Sequence, residues 1–244
     1  MIGIIQKILI HRKSGKKFLV KEMEEFHTSA GVISKKDLSS SAAEVKSSKG
    51  EVFLMLEPSF VDLWEFLQRG PQVVIQKDIG LILAKTAVNG NSRVVDAGGG
   101  SGSLCLYLAN VCQEVTTYEI NEEHYRIILK NKALCGLDNL TVKKEDVYKG
   151  ISERELDLVT LDLPEPWRVL GFAEEALKMG GFLVVYATQL TQVKDCIDAL
   201  KKSSIRVLEV VELLERKWKI EEKIMRPEHE MLGHTGFLLL GRKW

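Results

Sequence analysis

Val94-Val95-Asp96-Ala97-Gly98-Gly99-Gly100-Ser101-Gly102-Ser103-Leu104 is the stretch from which the rest of the chain can be read. A β-branched run stops at an acid, four glycines fall within five positions, and an apolar pattern at helical spacing runs from Leu104 to Ala109. That order predicts a strand, a tight turn and the start of a helix. Glycine suits the turn because the backbone there takes positive φ and a ligand can approach bare peptide, while the helix N-terminus beyond favours an anionic or polar group. A dinucleotide fingerprint has glycines at its first, third and sixth positions. Counted from Gly98 the sixth is Ser103, which weakens an NAD reading.

From Val73 onward the pattern alternates. Helices are predicted over Asp78–Val88, Gly102–Asn110, Asn121–Cys135, Pro166–Met179 and Gln189–Lys201. Strands are predicted at Arg93–Ala97, Glu114–Glu119, Leu140–Lys144, Leu156–Leu161, Gly181–Ala187, Val207–Arg216 and Gly236–Arg242. Repeated βα units imply an α/β fold with a mostly parallel sheet of seven strands, and the last two strands, with no helix between them, imply an antiparallel hairpin at one edge. Residues 1–60 differ: short runs such as Lys7-Ile8-Leu9-Ile10, Lys17-Phe18-Leu19-Val20 and Val52-Phe53-Leu54-Met55-Leu56, punctuated by Gly15, Gly31 and Gly50, predict a small all-β domain. Residues 61–77 read as a linker helix and loop, and 78–244 as the α/β domain that would carry the ligand site.

Composition narrows the partners. Lys+Arg and Asp+Glu are both 34, so no global basic field exists, and a nucleic acid would be held by a local patch or a surface shared between subunits. Lys13, Lys16, Lys17 and Lys21 form one such run, although a run of this kind is ordinarily a solvated face. Cys105, Cys112, Cys135 and Cys196 form no Cys-x-x-Cys pair and are expected as reduced core thiols, with no metal site. No apolar run reaches membrane-spanning length and no signal-peptide pattern opens the sequence, so a cytoplasmic protein without a membrane contact is expected.

In sheets of this kind ligands sit at the carboxyl ends of the strands. The predicted strands deliver Gly98–Gly102, then Glu119, Asp146 and Asp162 to one rim. Glu119 is placed to accept ribose hydroxyls, with His124 on the next helix within reach, and Asp146-Val147 to bond an adenine amine and cover the ring. In Leu161-Asp162-Leu163-Pro164-Glu165-Pro166-Trp167, two prolines fix an extended turn that holds an acid at the rim.

The Asp-x-Gly-x-Gly-x-Gly order of Asp96 to Gly102 resembles motif I of the class I S-adenosylmethionine (SAM) methyltransferases. The Asp162-Leu163-Pro164-Glu165-Pro166-Trp167 loop, Gln72-x-x-x-x-Lys77-Asp78, and Arg226-Pro227-x-His229-x-x-x-Gly233-His234-Thr235-Gly236-Phe237 together resemble the tRNA (adenine-N1)-methyltransferases that modify the T-loop. That resemblance spans nearly the whole chain. It implies a Rossmann-like class I methyltransferase fold, SAM as cofactor, a homotetramer, and methylation of tRNA at N1 of adenine 58, with 57 added in archaeal members. By motif position Gly98, Gly100, Ser101, Gly102, Ser103, Leu104, Glu119, His124, Asp146, Val147 and Asp162 would bind the cofactor, with Asp162 also catalytic at the acceptor base. Trp167 is a stacking candidate, against ordinary packing at a helix start. Many members of that family carry Tyr-Pro where this chain has Ile75-Gln76, so an aromatic contact to the base is missing here. Two other functions compete: methylation of a protein or small molecule, and a non-catalytic RNA-binding subunit.

Overall fold

The computed structural model describes residues 5–70, 73–221 and 223–244, and the chain divides into two compact units. The first comprises Met1–Gln68 and Lys130–Gly136. Its strands are β1 (Lys7–His11), β2 (Lys17–Val20), β3 (Phe26–Thr28), β4 (Gly31–Ile33), β5 (Glu44–Lys46) and β6 (Val52–Leu56), with short helices α1 (Lys35–Leu38) and α2 (Phe60–Glu65). An antiparallel sheet runs β2-β1-β6-β5, and β3 and β4 form a separate hairpin. Period-two alternation puts Leu9, Val20, Phe53 and Met55 into one core with Ile33, Leu38 and Val45. Ser59 and Asp62 close a capping box that starts α2.

The second unit, Arg69–Leu129 and Leu137–Trp244, contains α3 (Gln76–Thr86), β7 (Arg93–Ala97), α4 (Ser103–Val111), β8 (Glu114–Tyr118) and the larger part of α5 (Glu122–Cys135). It continues through β9 (Leu140–Lys143), β10 (Leu156–Leu161), α6 (Leu170–Ala176), β11 (Leu177–Ala187), α7 (Leu190–Leu200), β12 (Ile205–Glu212), β13 (Trp218–Glu221), β14 (Ile224–Pro227) and β15 (Phe237–Lys243). The seven-stranded sheet has the order β12-β15-β11-β10-β7-β8-β9. Only β15 runs against its neighbours, paired antiparallel to both β11 and β12. This is the mostly parallel sheet with antiparallel C-terminal strands expected for a class I methyltransferase. Strand order reverses at β7, where β8 lies to one side and β10 to the other, so the crevice for a ligand opens above that strand's carboxyl end.

Two local expectations are corrected. The helix predicted over Pro166–Met179 is a 3-10 turn at Pro166–Arg168 followed by α6, which stops at Ala176. Leu177 turns extended and pairs with Leu156, so β11 begins four residues before the predicted Gly181 because sheet pairing outweighs a helical apolar spacing. The strand predicted to Arg216 ends at Glu212, and a two-stranded ribbon, β13–β14, fills the connection to β15. Among the described residues no helix is long and apolar enough to cross a membrane. All four cysteines are free, three of them buried.

Candidate active site

The turn after β7 folds back over β8, and the amides of Gly98 and Gly99 both donate to the Tyr118 carbonyl at 3.1 and 3.0 Å. Gly98, Gly100 and Gly102 take φ of 88°, 54° and 92°, the left-handed region that side chains resist. A Cβ at Gly98 would fall on the Asp162 carbonyl oxygen, and one at Gly99 would meet Thr117 Oγ1 at 2.6 Å. The Asp162 amide donates to the Ala97 carbonyl at 2.8 Å, so the loops after β7 and β10 are locked together with the glycines at the seam. Ser103 and Leu104, both buried, open α4, where the first amides have no carbonyl within their own helix. Ser103 Oγ donates to the Val74 carbonyl at 3.0 Å. Val73 and Val74 thereby form one wall of a cleft bounded by Asp96, Gly98–Ser101, Ser103, Leu104 and Asp162. The cleft encloses only about 20 Å³, so it would hold one end of a ligand while the remainder lay along the open rim.

Glu119, just past β8, is fixed at both oxygens. Oε2 accepts from the Gly100 amide at 2.8 Å and Oε1 from the Asn121 amide at 2.7 Å. A carboxylate held this way keeps further lone pairs for hydroxyl donors. His124 Nδ1 lies 3.9 Å from Glu119 Oε2. Asp146 caps a 3-10 turn through the Tyr148 amide at 3.0 Å, while the Val147 side chain belongs to the main core cluster, leaving only its backbone for a ligand.

Two acids on one face of the sheet contrast. Asp96 is buried and takes hydrogen bonds from Thr160 Oγ1 at 2.6 Å and Thr117 Oγ1 at 3.0 Å. Burial still pushes its carboxyl up to about 6, against those two hydroxyls. Asp162 sits at the rim with no donor bonded to its carboxylate among the described residues, and burial, aided by the Asp96 charge, pushes it up to about 7. Its loop is pinned elsewhere. Gln192 Nε2 donates to the Pro164 carbonyl at 2.9 Å, and the Glu165 amide donates to Tyr148 Oη at 3.1 Å. Nothing in the sequence marked Tyr148, which also stacks under the Arg168 guanidinium at 4.9 Å. Trp167 packs on the main core.

A family model for the tRNA methyltransferase complex GCD14 subunit matches residues 52–226 of this chain, and a tRNA (adenine(57)-N(1)/adenine(58)-N(1))-methyltransferase, TrmI, of Methanocaldococcus jannaschii is 33% identical over 97% of the chain and 94% of the relative. The chain belongs to the GCD14 family of tRNA methyltransferases. Two solved structures agree in fold over nearly the full length. The tRNA (m1A58) methyltransferase TrmI of Aquifex aeolicus is 26% identical with a TM-score of 0.76, covering 98% of this chain and 96% of that one. A SAM-dependent O-methyltransferase of Thermotoga maritima is 28% identical with a TM-score of 0.82, covering 100% and 94%.

In this GCD14-family chain the two remaining motif stretches meet. Lys77 and Asp78, at the start of α3, bond Thr235 of the Gly233–Phe237 turn, although 157 or more positions separate them. Gln72 lies outside the described residues. Gln76, in the place of the family's proline, donates to Tyr107 Oη at 2.8 Å on α4, and Ile75 occupies the N-cap position of α3. His234 bridges Glu212 (Nδ1 to Oε1, 2.5 Å) and the Thr188 carbonyl (3.0 Å), whereas His229 is exposed. Among the described residues no group of His, Cys, Asp and Glu is placed to hold a metal.

Proposed function

We propose that this chain transfers the methyl group of SAM to N1 of an adenine in the T-loop of tRNA, at position 58, and at 57 as its Methanocaldococcus relative's name states. The observation that carries the reading is Asp162: a rim carboxylate with no donor bonded to it among the described residues, whose own carbonyl abuts the bared glycine turn. What supports a cofactor there is the open side of the turn: a Cβ at Gly100 would meet nothing nearer than the Gly98 carbonyl oxygen at 3.9 Å, whereas Gly98 and Gly99 are required by contacts with the protein itself. When bound there, SAM supplies an electrophilic methyl carbon on a sulfonium. Glu119 would accept the ribose hydroxyls with His124 beside it. Asp146 and the Val147 backbone would receive the adenine, while Gly98, Gly100, Ser101, Gly102, Ser103 and Leu104 would line the remainder.

Adenine N1 has an in-plane lone pair, so no base need deprotonate it before attack. Methylation leaves a cation delocalised onto the exocyclic amine. Asp162 would accept a hydrogen bond from that amine, orienting the ring and stabilising the charge as it develops. In the T-loop the N1 edge is engaged in a base pair, so the nucleotide must be everted to reach the rim. We further propose a homotetramer. A surface shared between subunits is one way for a neutral chain to hold RNA, and β13–β14 exposes Trp218, Ile220 and Met225 at 58, 68 and 72%, an apolar ribbon suited to subunit contact.

The test is nucleoside mass mapping of unmodified tRNA incubated with the enzyme and SAM, with Asp162→Ala alongside. Expected are 1-methyladenosine in the T-loop for wild type, and none for a variant that still binds SAM. Label in another nucleoside, or a fully active variant, would overturn the assignment.

A further inference from the structure

We propose that Thr235 is a positioning residue for methyl transfer, its hydroxyl closing a ring with Lys77 and Asp78 that fixes the Gly233–Phe237 turn and Tyr186 beside Asp162. Lys77 and Asp78 are adjacent residues of α3, with side chains 7% and 1% exposed and Nζ 2.7 Å from Oδ1. Neighbours on a helix point about 100° apart, so a third group that bonds both head groups fixes where they meet. Thr235 Oγ1 does so, accepting from Lys77 Nζ at 2.7 Å and donating to Asp78 Oδ2 at 2.9 Å. The hydroxyl thus spends its donor on the anion and an acceptor site on the cation.

Stability alone is a poor reason for this ring. A buried ion pair is commonly matched or bettered by apolar residues of similar volume, and its best-attested use is to specify one arrangement over others. The arrangement specified here is a close approach of backbone to ring. A Cβ at Gly236 would lie 2.6 Å from the Tyr186 ring, so the turn rests directly on that phenol. Leu161 pairs with Val185 in the parallel register, which makes Asp162 and Tyr186 the next level of the same two strands and puts them on one face. The Tyr186 hydroxyl is buried between charges: burial first, then Asp78 and Asp162, push it up to about 12. A chain of contacts therefore runs from Thr235 through Tyr186 to the face on which the acceptor base would sit. Displacement of a reacting group by about 1 Å can slow a reaction on the order of 100-fold.

The inference rests on the methyl-transfer reading of the Asp162 rim, and the experiment separates the two. Full-length wild type, Thr235→Val, Thr235→Ser and Ser204→Ala are assayed for turnover of unmodified tRNA at saturating SAM, for SAM affinity, and for thermal midpoint. Ser204→Ala removes a comparable clip, Oγ to Glu174 Oε1 at 2.6 Å, remote from the rim. The expected result is a 10- to 100-fold fall in kcat for Thr235→Val with SAM affinity within about twofold of wild type. Thr235→Ser should recover to within about threefold, and Ser204→Ala should lose midpoint without loss of kcat. Thr235→Ala replaces the valine variant if that one does not fold. A valine or alanine variant that turns over like wild type, one slowed no more than Ser204→Ala, or a serine variant as slow as the valine, would overturn the positioning role. Wild type that leaves N1 of tRNA adenine unmethylated would instead overturn the underlying function.

Discussion

Asp162→Asn should make the protein inactive and more stable at once. Burial and the neighbouring Asp96 charge raise the Asp162 carboxyl from 3.8 to about 7. Between those values the folded chain holds a proton that the unfolded chain releases, so stability falls as pH rises through the window, and the whole penalty is present above about pH 7. The interval from 3.8 to about 7, at about 1.36 kcal/mol for each tenfold change, sets a ceiling of about 4 kcal/mol, which solvent at the rim reduces to about half. For a chain of this size 1 kcal/mol moves the midpoint about 2–4 °C. Asparagine keeps the shape and cannot carry the charge. The variant should therefore melt on the order of 5 °C above wild type at pH 8, with no difference at pH 4, when scanned in parallel by calorimetry. A midpoint at pH 8 equal to or below that of wild type would refute the claim that Asp162 is held ionised at its own expense. An excess that persisted at pH 4 would show the gain to have nothing to do with charge.

Other outcomes follow from the same geometry. The acid limb of kcat/KM for the free enzyme should lie near pH 7, and the limb of kcat at saturating SAM should lie lower, because an adjacent sulfonium favours the ionised carboxylate; stopped-time assays across pH 5–9 measure both. Gly98→Ala should abolish SAM binding and lower the melting midpoint, since its Cβ would strike the Asp162 carbonyl at a φ of 88°; calorimetric titration reads the first and a thermal scan the second. Glu119→Gln should weaken SAM about tenfold, as the amide can no longer accept at both oxygens, and equilibrium dialysis would show it. Glu212, followed by the Thr188 carbonyl, raises the titration of His234, so the clamp is intact below the ordinary histidine value and lost as pH rises through the raised one; NMR titration of the His234 ring should show a midpoint above the ordinary histidine value.

The residues gathered at the rim of the sheet were readable because they are local. Asp96 to Leu104 carries strand, turn and helix start in one run, and Glu119, Asp146 and Asp162 each stand where a predicted strand ends. The mistakes came where a local pattern met a tertiary competitor. Leu177 and Met179 continue a helical spacing, yet Leu177 gains more by pairing with Leu156 on β10. The β13–β14 ribbon was invisible because Trp218-Lys219-Ile220-Glu221 is a short alternation with no glycine turn signal after it. The contact of Lys77 and Asp78 with Thr235 could not be read from spacing at all, since it joins the first helix of the second unit to the turn before its last strand.

The contrast between Asp96 and Asp162 also explains how a chain with no net charge can act on a polyanion. Two threonine hydroxyls commit Asp96 to the scaffold, whereas the Asp162 carboxylate has no such donor among the described residues. Glu119 and Asp146 lie along the same rim, so the site repels phosphate and attracts a group that bears or acquires positive charge. The acceptor base must enter alone while its phosphates stay on another surface, which is the arrangement an everted nucleotide provides. Methylated at N1, such a base would become a cation beside the carboxylate, while the methyl donor would lose its positive charge. Carboxylates along the rim would thus face one positive charge before the reaction and one after it, first on the donor and then on the acceptor.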